Sequence, residues 1–112
     1  ELEDVINMTT AMDNALGTYS YTSGTTSSTM TINDDLTGSI AVTIDGTSKT
    51  FDFKQSTISM ENNLLKVNYT ISGTDKIVLT QIDDTTWNLS YTYTGTTSGF
   101  PVGTINGILT KS

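Results

Sequence analysis

The sequence has no cysteine, no histidine and no arginine, and its single proline is Pro101. Without thiols there is no disulfide, no zinc–thiolate centre and no cysteine nucleophile. Without imidazole there is no Ser-His-Asp triad and no histidine metal ligand. Without guanidinium there is no bidentate clamp for phosphate or carboxylate. Positive charge is scarce: five lysines stand against 12 Asp and Glu, for a net charge of −7 over 112 residues. This balance argues against nucleic acid and anionic membrane as partners. No apolar run approaches the ~18 residues of a membrane-spanning helix. No basic segment followed by an apolar stretch marks a signal peptide. The chain starts at Glu1 rather than Met, which fits a processed or truncated chain. Export is one expectation from that start, with a lipid anchor ahead of Glu1.

What the chain does have is hydroxyls. There are 24 Thr and 12 Ser, while charged residues make up 15% against about 25% in an average soluble domain. Threonine is β-branched and favours pleated, half-buried surface. A Ser/Thr-rich acidic chain also fits disorder, but the apolar residues here alternate with the period of a sheet. The length allows one domain, 1–112, with one core.

Residues 2–16 read as a helix. Leu2, Val5, Ile6, Thr9, Met12 and Leu16 form one stripe at 3.6-residue spacing. Glu1, Glu3 and Asp4 crowd the first turn, where the helix dipole favours negative charge, and Gly17 sits at the expected stop. From Gly17 to residue 111 the period is two. Tyr19 and Tyr21 alternate with hydroxyl residues, and a loop over Gly24–Ser27 would set Tyr21 opposite Met30 and Tyr19 opposite Ile32. Asp45-Gly46 is the signal for a two-residue hairpin turn. It pairs Ile44 with Thr47, Val42 with Lys49 and Ile40 with Phe51, so that Phe51 and Phe53 share a face with the aliphatics. Between Phe53 and Ile58 the parity changes. One long bent strand at 47–60 with a bulge accounts for this, as do two separate strands. The single-strand version sets Phe53 opposite Ile71. Met60 pairs with Leu65 and Ile58 with Val67. A turn at Gly73-Thr74 pairs Tyr69 with Val78 and Leu65 with Ile82, which leaves Ile77 and Leu79 on the other face. A turn at Asp84-Thr85 then pairs Ile82 with Trp87 and Val78 with Tyr91. Trp87, Leu89, Tyr91 and Tyr93 make a strong inward face. Gly95–Pro101 is the longest loop, and a last strand at about 102–111 carries Val102, Ile105, Ile108 and Leu109.

These elements predict an all-β fold: one N-terminal helix followed by an eight-stranded antiparallel up-and-down barrel, closed by its last strand against its first. A sandwich has no positive signature. A membrane barrel needs apolar residues outside, whereas the outward positions here are Thr, Asn and Lys.

With its short leading helix, the Gly17-Thr18-Tyr19 that opens the first strand and its eight-strand meander, the chain resembles the calycins, the lipocalin and streptavidin superfamily. Lipocalins carry Gly-x-Trp at that place; here the third residue is Tyr19, and the basic residue that packs beneath it cannot be Arg. Gly99-Phe100-Pro101-Val102-Gly103 resembles a segment of calycin-like domains of exported bacterial lipoproteins. The resemblance implies a periplasmic or cell-surface setting and a ligand cavity.

The acidic pairs Asp34-Asp35 and Asp83-Asp84 invite a calcium or acid/base reading. Both fall in expected turns, where Asp bonds the local backbone, and no EF-hand spacing is present. With Glu61 they form an acidic rim at the helix end of the barrel. Eight of the nine aromatics, all but Phe100, fall on the inferred inner face. They suit a packed core or the wall of a ligand pocket. A pocket would open away from the helix, near Tyr21, Tyr93 and Phe100, with Tyr69 on its wall and Thr96, Thr97 and Ser98 supplying hydroxyls. Asn7, Asn68 and Asn88 head Asn-x-Ser/Thr sequons, as a Thr-rich chain produces by chance. No Ser-x-x-Lys occurs, and no catalytic nucleophile is read.

The functional expectation is a non-enzymatic exported module that binds a small, partly apolar molecule through Tyr21, Tyr69, Tyr93 and Phe100, with no cofactor and no metal. The alternative is a structural or protein-interaction domain of a surface lipoprotein without a pocket. A protease inhibitor presenting the Gly95–Pro101 loop is a weaker one.

Overall fold

The computed structural model describes residues 2–35, 37–62, 64–96 and 99–112, with side chains from Thr9 onward. The expected roles of Glu1, Leu2, Glu3, Asp4, Val5, Ile6, Asn7, Thr97 and Ser98 lie outside what is described.

Helix α1 spans Leu2–Ala15. Met12 and Ala15 are buried and close one end of the sheet assembly. The Tyr19 hydroxyl donates to the Ala15 carbonyl at 2.8 Å, satisfying one of the carbonyls that a helix end leaves without an intrahelical partner. Gly17 follows with φ of 136°, a value that favours glycine.

Nine antiparallel strands follow: β1 (Gly17–Ser23), β2 (Thr26–Ile32), β3 (Gly38–Ile44), β4 (Thr47–Phe53), β5 (Ile58–Glu61), β6 (Leu64–Ser72), β7 (Asp75–Gln81), β8 (Thr86–Tyr93) and β9 (Gly103–Lys111). They form one sheet in the order β4-β3-β2-β1-β9-β8-β7-β6-β5, curled into a nearly closed up-and-down barrel. The first strand does meet the last, through Tyr19↔Lys111 and Ser20↔Thr110.

The expected count of eight strands is corrected to nine. A 3-10 turn at Gln55–Thr57 divides 47–60. The Thr57 hydroxyl accepts the Lys54 N–H at 3.2 Å and donates to the Lys54 carbonyl at 2.8 Å. Local side-chain bonding of this kind competes with the sheet ladder, so the strand breaks there. β4 consequently pairs only with β3, and β5 only with β6. The expected pairing of Phe53 with Ile71 is absent from the register.

The Asp45-Gly46 hairpin has the expected register, from Ile44↔Thr47 to Gly38↔Phe53, with φ of 50° and 85° at the two turn residues. Met60↔Leu65 and Ile58↔Val67 also pair. The first hairpin is shifted by two: a two-residue turn at Gly24-Thr25 sets Tyr19 opposite Met30 and Tyr21 opposite Ser28. Faces are unchanged, because the side-chain period is two. A bulge between Thr70 and Ser72 shifts the next hairpin by one. Tyr69 therefore pairs with Ile77, not Val78, and Trp87 with Gln81, not Ile82. Ile77 and Leu79 are fully buried, and Val78 and Ile82 face outward.

Among the described residues, twenty apolar side chains form one buried cluster, with Trp87, Tyr19 and Tyr91 the largest of those fully enclosed. Three glycines make room for rings. A Cβ at Gly38 would collide with the Phe53 ring, one at Gly95 with the Tyr93 ring and one at Gly107 with the Tyr21 ring. Of the nine aromatics, Tyr21, Tyr69 and Phe100 are half-buried and pack on the rim of this cluster; the other six are buried. On the last strand Ile105 and Leu109 point inward, while Val102, just before it, and Ile108 are exposed.

Candidate functional site

The barrel wall is open along one line. β4 and the upper half of β6 are neighbours around the barrel, yet they share no ladder. Their Cα atoms are for the most part more than 8 Å apart, against about 4.8 Å for paired strands. Inner-face rings bridge the gap: Phe51 and Tyr69 meet edge to face, with centroids 5.6 Å apart. This seam is where the aromatic interior reaches solvent.

Two clefts lie on the seam. One, of about 390 Å3, is walled by Phe51, Tyr69, Ile71 and Phe100, with Lys49 at its lip. The other, of about 570 Å3, runs down the β4 edge past Asp52, Phe53 and Lys54 to Ser39 and Thr37. Tyr69 lines both.

Phe100 comes from the segment that joins β8 to β9. Three bonds anchor that segment. The buried Asp75 carboxylate accepts both the N–H and the hydroxyl of Thr94 at 3.0 Å. The Tyr91 hydroxyl donates to the Pro101 carbonyl at 2.5 Å. Phe100 stacks on Tyr93 at 5.1 Å and meets Phe51 edge to face at 5.8 Å. The Lys49 ammonium lies over the Phe100 ring, 5.1 Å from its centroid, a cation–π arrangement.

Of the four expected ligand residues, Tyr69 and Phe100 meet Phe51, and Tyr93 stacks behind Phe100 without lining the cleft. Tyr21 does not join them, since its ring lies against Gly107 of β9. Thr96 is exposed. Sequence reasoning missed Lys49 and Ile71. Lys49 shares the parity of Phe51 and Phe53, so alternation alone placed an ammonium at the mouth of an aromatic face.

Burial tunes two phenols. It pushes the Tyr91 hydroxyl up to about 12, with the charges of Tyr93 and Asp75 adding to the shift. Burial also raises Tyr19; the nearby Trp87 indole N–H offsets part of this, and Asp84 and Asp83 add to it. Among the described residues, that indole has no hydrogen-bond partner of normal geometry, and neither does the buried Ser28 hydroxyl.

At the helix end, Asp83 sits below the usual carboxylate range because it accepts the Thr85 backbone N–H at 2.9 Å and the Thr86 and Thr85 hydroxyls at 2.8 and 3.0 Å. Asp35 accepts the Thr37 hydroxyl. Asp83 and Asp35, one residue of each acidic pair, thus bond locally as Asp does in turns. Among the described residues no group of three or more acidic, His or Cys side chains could hold a metal ion, and no helix is long and apolar enough to cross a membrane.

The fold therefore defines an all-β up-and-down barrel with an aromatic seam. In comparisons with known proteins, no family model, no curated protein and no solved structure matches the chain.

Proposed function

We propose that the protein is a non-enzymatic, exported, calycin-like module that binds a small, partly apolar molecule at the seam. The observation that carries this reading is the 390 Å3 cleft, in which three aromatic side chains and Ile71 meet one ammonium group. Apolar walls with a few placed polar groups suit small ligands. A further feature supports the calycin resemblance. Lys111 of the last strand lies with its ammonium 5.7 Å from the Tyr19 ring centroid, where the calycin pattern sets a basic residue beneath its Trp. Periplasmic or cell-surface placement, with or without a lipid anchor, belongs to the same reading.

The test is titration with an anionic naphthalene dye, anilinonaphthalene sulfonate, followed by fluorescence. Phe100→Ala and Tyr69→Ala should each weaken binding by about tenfold, the worth of one buried aromatic contact. Tyr21→Phe should leave it unchanged. Equal binding by all four proteins, or none by the wild type, would overturn the proposal.

The packed interior favours a second reading, a structural or protein-interaction domain of a surface lipoprotein. Among the described residues, twenty buried apolar side chains fill the barrel and its helix-closed end, and small barrels commonly fill that way.

A further inference from the structure

The seam has a second property, which lies in its backbone. In the Asp45-Gly46 hairpin, Ile44 and Thr47 flank a two-residue turn and form a hydrogen-bonded pair. Alternation then makes Lys49, Phe51 and Phe53 bond toward β3. Ser48, Thr50 and Asp52 are left with their N–H and C=O directed out of the sheet, and β4 is its terminal strand. The same count on β6 starts from Glu61↔Leu64 across its two-residue turn. Leu64 and Lys66 bond toward β5, so Asn68 and Thr70, beyond the end of β5, direct their groups into the gap. All five residues are exposed.

We infer that this slot is a docking site for an extended peptide, which adds as one strand between β4 and β6. Three observations select that occupant. Unpaired strand edges face the slot from both sides, and backbone donors and acceptors in register call for another backbone. The Cα separation, for the most part beyond 8 Å, exceeds the about 4.8 Å of paired strands, so the two edges do not satisfy each other. A second copy of this chain fits poorly, because its own free edge is flanked by a barrel wall that cannot enter a two-sided slot; a lone strand can. Charge selects further. The chain carries −7, and Asp52 stands exposed on the edge with no ion partner among the described residues. The fitting segment alternates apolar residues, which meet Phe51, Phe53 and Tyr69, with neutral or basic ones.

This inference does not depend on the small-molecule reading; dye binding at the mouth can fail while strand addition stands. Its test is a displayed library of short random peptides selected on the whole chain, combined with amide hydrogen exchange. Before peptide is added, the amides of Ser48, Thr50 and Asp52 should exchange fast and those of Lys49 and Phe51 slowly. Selected peptides should alternate apolar residues and protect the three outward amides. Thr50→Pro removes one outward donor, and proline is tolerated where an edge N–H faces solvent. It should weaken binding by about tenfold, the worth of one backbone hydrogen bond. Thr50→Val keeps the donor and should keep the affinity. Unchanged melting of both variants would show that the fold is retained. Three results would overturn the inference: outward amides already protected in the free protein, a library that yields no binder, or binders indifferent to Thr50→Pro.

Discussion

Single residues in this barrel are held by contacts that specify their size and polarity. The Tyr21 ring occupies the space where Gly107 has no side chain. Gly107→Ala forces that ring aside, and overpacking of this kind costs about 1–3 kcal/mol, readable as a lower urea midpoint. Ser28 presents the opposite case. Its hydroxyl is buried at 3% exposure with no partner among the described residues, and an unsatisfied buried group costs about 1–3 kcal/mol. Ser28→Ala should therefore raise the urea midpoint rather than lower it. Tyr91 ties the barrel interior to Pro101, and Tyr91→Phe should lose about 1 kcal/mol while freeing the segment that carries Phe100. Dye affinity of that variant at the seam then reports how far the bond positions Phe100.

Elements were legible in the sequence wherever alternation was clean and turn chemistry was explicit. Asp45-Gly46 fixed its hairpin because the turn demands positive φ at both residues, and the long pattern of β8 fixed the inward face of Trp87 and its neighbours. Two places were illegible for physical reasons. Ile77, Val78 and Leu79 are consecutive and apolar, so alternation could not choose a face; the bulge between Thr70 and Ser72 chose it. Lys54 to Thr57 carries no apolar residue, so a bulge and a 3-10 turn read alike. The seam exists because of that turn, which is why three of its aromatics were foreseen but their meeting with Lys49 was not. Gln81 shows how an element end is completed: its buried side-chain carbonyl accepts the Leu65 N–H at 3.0 Å. Gln81→Leu leaves that donor buried without a partner and should cost about 1–3 kcal/mol, seen as faster exchange of the Leu65 amide.

For the whole molecule, the ionisable groups set opposite pH limits. Tyr91 is raised to about 12 from an ordinary 10.0. The stability it contributes is intact below the ordinary value and is lost as pH rises through the folded one, because unfolding releases the proton more readily. Absorbance titration of the phenolates should then coincide with loss of the near-ultraviolet signal of Trp87 between these two values. Asp83 is lowered from 3.8, so its contribution is present above that value and disappears as pH falls through the lower one. Proton linkage at Asp83 should be abolished in Asp83→Asn, compared by acid titration of folding.

The ladders also differ in how far apart along the chain their partners lie. Seven of the eight join strands that follow one another in sequence; the β1–β9 ladder alone spans the chain, and it registers only two residue pairs. Local hairpins can therefore assemble with small entropic cost, while the one non-local ladder bears the largest loop-closure penalty within the sheet. Refolding kinetics should be governed by that single late junction, and changes at Lys111 should alter the folding and unfolding rates quite differently from changes at the hairpin turns.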